Sequence, residues 1–128
     1  MKTATSKDTA DMIMGSGFDQ FSWWRGVDRW HVWDDNTEPF ADWYACLLAE
    51  DTEDEDRDVR VDINHRIVMR AARKIASMGA DEMERKYISN ACQRECRHLV
   101  FNPDECDFDA ATADELVQYI AYGRVVCG

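Results

Sequence analysis

The stretch Asp58-Val-Arg-Val-Asp-Ile-Asn-His-Arg-Ile-Val-Met-Arg-Ala-Ala-Arg-Lys-Ile-Ala76 decides the fold, because its hydrophobic period changes halfway along. Val59, Val61 and Ile63 alternate with Asp58, Arg60 and Asp62, the period of two that a half-buried strand requires. From Asn64 onward the period lengthens: Ile67, Val68, Ala71, Ile75 and Met78 recur at helical spacing before Gly79. Asn64 stands where a helix N-cap is needed, since its side chain can accept an otherwise orphaned N–H of the first turn. A strand that runs straight into a capped helix predicts an α+β domain.

Upstream of this junction, residues 50–57 are almost wholly charged and read as the exposed tip of a long hairpin. Residues 40–49 are aromatic and apolar, and residues 29–33 alternate before stopping at the turn cluster Asp34-Asp35-Asn36. Together with residues 58–63 they predict a three-stranded antiparallel meander with one wet face. In residues 18–27 Phe21, Trp24 and Val27 lie three apart, which predicts a short helix with an aromatic face. Thr9 reads as the cap of one or two turns over residues 9–14, stopped by Gly15 and Gly17, and residues 1–8 as a flexible tail.

Downstream, a second helix is expected over residues 81–99 and is stopped by Asn102-Pro103. The last helix is capped by Asp109 or Thr112, has Leu116, Val117, Ile120 and Ala121 inward, and ends at Gly123. The expected architecture is a single α+β domain over residues 9–128. It has a short N-terminal helix, the meander, and three C-terminal helices packed on one sheet face.

Charge is segregated along this framework. The net charge is -11, yet residues 1–33 sum to zero, 34–62 to -10, 63–100 to +4 and 101–128 to -5. Within the basic portion Arg66, Arg70, Arg73 and Lys74 form a stripe along one helix face, for which Asp62 or the loop 104–109 are the expected counter-charges. An acidic balance with a pI near 4.6 argues against direct binding to nucleic acid phosphates, which calls for clustered positive charge over the domain. The longest apolar run, residues 45–49, is far too short to cross a bilayer, and the polar N-terminus leads into no signal-peptide core. The five cysteines, an odd number, therefore read as reduced thiols of a cytoplasmic protein.

Reaction chemistry finds little purchase. Cys92 and Cys96 lie one helical turn apart, and His98 or Cys106 would complete a zinc tetrahedron. The Cys-x-x-Cys turn of a zinc knuckle is missing, however, and Cys92 falls on the apolar stripe, so a core role is the simpler reading. No phosphate loop, nucleophile elbow or deaminase-type His-x-Glu motif occurs, and neither His65 nor His98 is placed beside a particular thiol. The expectation is a non-enzymatic protein without a cofactor.

Several further elements carry a resemblance. They are Trp23-Trp24, the Val61 to Ala76 junction, Ala91-Cys-x-x-x-Cys-x-x-Leu-Val-Phe101, Asp107-Phe-Asp-Ala-x-x-Ala-Asp-x-x-x-Gln118, and Tyr122-Gly-x-Val-Val-x-Gly128. Their order resembles small accessory proteins of actinobacterial phages and mobile elements, over residues 20–128. The resemblance implies a phage or prophage origin and an intracellular setting in the bacterial host, and no assigned reaction.

The functional expectation is a protein that binds a host or phage protein. In its concrete form Asp34, Asp35, Glu38, Glu50, Asp51, Glu53, Asp54, Glu55, Asp56 and Asp58 stand in for phosphates before a basic, nucleic-acid-binding groove. That is how acidic inhibitors of the anti-CRISPR and anti-restriction type commonly act. Five tryptophans fall within 21 residues, and Trp33 is the aromatic expected at the partner surface. The alternatives are a small zinc module built on Cys92, Cys96, His98 and Cys106, and a structural protein whose Val125-Val126 tail and tryptophans seal a homodimer.

Overall fold

At Asn64 strand gives way to helix, where the hydrophobic period changes. Asn64 is extended and its Oδ1 accepts the Ile67 N–H at 2.9 Å, which closes one orphan donor of the first turn. The computed structural model describes residues 2–21, 24–31, 43–51, 53–54 and 56–126. Over these residues the fold is α+β, with an antiparallel sheet covered by helices.

The sheet has the order β1 (Trp24–His31), β2 (Tyr44–Glu50), β3 (Asp58–Asn64). Between β2 and β3 the register places Ala45 opposite Ile63, Leu47 opposite Val61 and Ala49 opposite Val59. This is the covered face, where small residues on β2 leave room for branched ones on β3. On the other face Cys46 lies opposite Asp62, and Leu48 opposite Arg60. The Arg60 guanidinium lies across Cys46, with Nη2 3.2 Å from Sγ, so that a charged side chain's stem shields an apolar spot. β1 pairs with β2 through two register irregularities, which bend an edge strand away from flatness.

Among the described residues a helical turn, α1 (Ser6–Thr9), precedes the sheet, and four α-helices follow it: α2 (His65–Ala76), α3 (Ala80–Lys86), α4 (Asn90–Phe101) and α5 (Ala110–Tyr122). Val68, Ala72 and Ile75 of α2, Cys92, Cys96 and Leu99 of α4, and Leu116 and Val117 of α5 join the covered sheet face in one core. α2 and α4 pack on each other along their length. Gln93 locks the far end of α2, its Nε2 donating to Ile75 O at 3.0 Å and Met78 O at 2.9 Å. Ile75 O already accepts the Met78 N–H at 3.1 Å, so Gln93 adds a second donor there and supplies one to Met78 O just beyond the helix end.

Four details depart from the sequence reading. The helix expected over 81–99 is two helices, because Tyr87 takes a left-handed conformation (φ 57°) and Ser89 starts a new helix by accepting Cys92 N–H. Of the helix expected over 18–27 the described residues show only the 3-10 turn Phe18–Gln20. Trp24 is already in β1, its ring edge-on to Phe18 at 5.4 Å. The strand expected over 29–33 therefore begins earlier, at Trp24, and the one expected over 40–49 is Tyr44–Glu50. Order also begins before Thr9: Thr5 caps a helical turn α1 (Ser6–Thr9) with a capping box, and Ala4 is buried.

Thr9 does stand at the start of a helical turn, Ala10–Met14, which Gly15 ends, but its side chain makes no capping bond. It is buried, and its Oγ1 accepts the indole N–H of fully buried Trp43 at 3.0 Å and meets His65 Nδ1 at 2.9 Å. One hydroxyl ties the N-terminal segment, the entry to β2 and the first turn of α2. At the other terminus Val125 is buried in the chain's own core, its N–H donating to Lys86 O. It is therefore not available to seal a homodimer. No helix among the described residues is long and apolar enough to cross a membrane.

Candidate partner-binding surfaces

The acids that the sequence singles out do not all serve the same end. Asp34, Asp35, Glu38, Glu55 and Trp33 lie outside the described residues. Glu50 is half-buried at the end of β2, where its backbone carbonyl accepts the Tyr122 hydroxyl at 2.6 Å, fastening the hairpin to the end of α5. Asp51 closes the hairpin: its N–H donates to Arg57 O, and its Oδ1 accepts Glu53 N–H at 2.9 Å. Asp54 makes the next turn, its Oδ1 accepting Asp56 N–H at 3.0 Å and its carbonyl accepting Arg57 N–H. Turn-forming aspartates thus build the tip before any partner meets it.

Glu53, Asp54, Asp56 and Asp58 are exposed on this tip and its exit. Glu53, Asp54 and Asp56 form no ion pair with any described residue, although Arg57 stands among them. A turn held largely by its own aspartate side chains therefore keeps Glu53, Asp54 and Asp56 in water without a described counter-charge.

The cationic stripe is likewise bare. Arg66, Arg70, Arg73 and Lys74 are the exposed residues of α2, and none pairs with a described acid. The expected counter-charges are engaged elsewhere: Asp62 with Arg60 at 3.5 Å, and Asp104 with Lys2 at 2.8 Å. Only Arg73 and Lys74, in the last turn, gain from the helix dipole. The molecule thus carries two exposed surfaces of opposite sign.

The thiols come together, but in the core. Cys92 and Cys96 are fully buried and Cys106 nearly so, with Cys92 Sγ directed at Thr112 O and Cys106 Sγ at Glu95 O. A hydrogen bond with Cys92, joined by burial, pushes the Cys96 thiol well above its ordinary range. Burial pushes Cys106 up to about 12. His98 is turned to Glu95, with Nδ1 3.2 Å from Oε1. Among the described residues no group of three His, Cys, Asp or Glu side chains is arranged to hold a metal ion. Protonated, enclosed thiols are also poor nucleophiles.

Two buried carboxylates escaped the sequence reading. Asp114 accepts Trp24 Nε1–H at 2.7 Å and Gln118 Nε2–H at 2.8 Å, joining β1 to α5. Gln118 passes the link on by accepting Val126 N–H. Glu95 is enclosed by Arg94 Nε at 2.9 Å, Asp107 N–H at 2.9 Å and His98. Burial alone would raise its pKa, but these donors outweigh it and hold the carboxyl below its ordinary value. The available signal was position: Asp114 and Glu95 interrupt apolar helix faces, where a charge needs partners. Both are architectural. No buried side-chain nitrogen or oxygen among the described residues lacks a partner.

No family model matches the chain, and neither does any curated protein or solved structure.

Proposed function

We propose that this protein is a non-enzymatic binding module whose β2–β3 hairpin docks on a basic surface of a partner protein. The observation that carries the reading is the hairpin tip itself. Glu53, Asp54 and Asp56 are exposed, preset by backbone turns and neutralised by none of the described cations. Turn hydrogen bonds at Asp51 and Asp54 lower the ordering cost of docking, and the field of the exposed acids steers association with a positive patch.

In the specific form of this proposal the carboxylates compete with phosphates for lysine and arginine in a nucleic-acid-binding groove, as an accessory protein of a phage or mobile element would.

The test is affinity capture on the immobilised chain from a bacterial lysate, followed by elution with rising salt. A bound protein should leave the wild type as salt rises beyond physiological strength, where the Debye length is about 8 Å. It should not be retained by a variant with Glu53, Asp54, Glu55 and Asp56 changed to Gln or Asn. If the mimicry is real, duplex DNA and this chain should exclude each other from the captured protein. Retention that survives the fourfold change and is lost in Trp33→Ala would contradict the proposal and assign an apolar interface.

A further inference from the structure

We infer that β3 is a self-pairing edge, along which two copies of this chain join their sheets antiparallel, strand to strand. β3 ends the strand order, and its 7 residues pair with β2 without a register break. The opposite edge is built differently: β1 carries two register irregularities, a device that blunts an edge against further pairing. β3 has no bulge, proline or glycine, and its Val59, Val61 and Ile63 are residues that favour strands.

Ladder parity decides which backbone groups face outward. Asp51 N–H donates to Arg57 O at 3.2 Å, and the unbroken register carries that alternation along the hairpin. Val59, Val61 and Ile63 therefore exchange bonds with β2, whereas the N–H and C=O of Asp58, Arg60 and Asp62 are directed toward the edge. No further strand lies beyond β3 among the described residues. Asp58, Arg60 and Asp62 are exposed, and Val59 is half-exposed.

Charge selects both the occupant and its register. Exposed charges usually guard an edge, but here their order matches itself when the strand is reversed. With Val61 opposite the Val61 of a second copy, Arg60 lies opposite the copy's Asp62, and Asp62 opposite its Arg60. Those are positions whose backbones then exchange both hydrogen bonds. On the covered face Val59 meets the copy's Ile63, a pair of β-branched neighbours. Sliding the register by two residues sets Arg60 against Arg60 or Asp62 against Asp62. Sliding it by one disengages the outward backbone groups and opposes the two faces. A single register thus satisfies backbone and charge together. Within one copy Arg60 and Asp62 already meet at 3.5 Å, so association gives each a second, directly opposed counter-charge. The seam uses none of the hairpin-tip acids and is independent of the function proposed above. One strand pair is a small interface, so the dimer is weak and concentration-dependent.

Sedimentation velocity over about 1 μM to 1 mM protein tests this directly. The wild type should pass from monomer toward dimer across that range. Arg60→Asp and Asp62→Arg should each weaken the dimer about tenfold, because like charges then face one another across the seam. An equimolar mixture of these two variants should associate again, since the aspartates of one chain then oppose the arginines of the other. The double exchange within one chain should restore the dimer in the same way, with circular dichroism showing that each variant folds. Where a single variant does not fold, the double exchange decides: dimer supports the seam and monomer overturns it. The fourfold hairpin variant should dimerise as the wild type does, so failure here is distinct from failure of the hairpin reading. A wild type that stays monomeric throughout, single variants that dimerise like the wild type, or a mixture no better than its components would each overturn the inference. So would a dimer lost in the fourfold hairpin variant, because the acidic tip would then be the contact.

Discussion

Asp114 shows how far a single buried carboxylate organises this molecule. It holds the Trp24 indole and the Gln118 amide, and through Gln118 the C-terminal backbone. Asp114→Ala strands two buried donors and should lower the unfolding free energy by about 2–4 kcal/mol, read from urea denaturation. Glu95 makes a pH-dependent contribution. Its folded pKa lies below the ordinary 4.5, so the stability it supplies is fully present above that value and is lost as pH falls through the folded pKa. Glu95→Gln should therefore flatten the acid limb of a melting-temperature profile below pH 4.5 while lowering stability at neutral pH. An unchanged acid limb would show that the carboxylate is not selectively stabilised. The thiols make a third residue-scale statement: Cys92, Cys96 and Cys106 should resist a thiol reagent in the native protein and react on unfolding. Rapid labelling of all five cysteines in the folded chain would refute their enclosure.

At the scale of elements, the legible parts were those in which local chemistry and periodicity agree. The junction at Asn64, the α5 start at Asp109 and its stop at Gly123 all follow from capping residues that need no tertiary help. Trp24 shows the opposite case. Its three-residue spacing from Phe21 and Val27 mimics a helix, but pairing with Ala49 and the indole's bond to Asp114 decide for strand, and neither partner is near in sequence. The break at Tyr87 was hidden because apolar residues keep helical spacing across it, although Ser89-Asn90 offered a cap. Tyr87→Gly should raise stability by a few tenths to about 1 kcal/mol by relieving the left-handed strain, offset by greater unfolded-chain freedom. Tyr87→Val should lower it, and the same sign for both would mean that the conformation is not strained. Of the candidate surfaces, the hairpin's acids were legible from composition alone. That the α2 cations pair with no described acid was not, because ion pairing depends on which loops reach which helix: Lys2 takes Asp104, more than a hundred residues away.

At the scale of the whole molecule, separation of charge is the property from which function is argued. Like charges gathered on a hairpin repel one another, so a binding projection of this kind is kept at some cost to stability. The fourfold hairpin variant should accordingly melt at the same temperature as the wild type or higher, even as it loses its partner. The most direct test is the association rate constant of the captured partner protein, measured by stopped flow against ionic strength for the wild type and that variant. Docking through the acidic hairpin requires a wild-type rate that falls steeply with salt, and a variant rate that is slower at low salt and nearly flat. Equal rates with equal salt dependence would contradict it, because the acidic hairpin would then play no part in bringing the two molecules together.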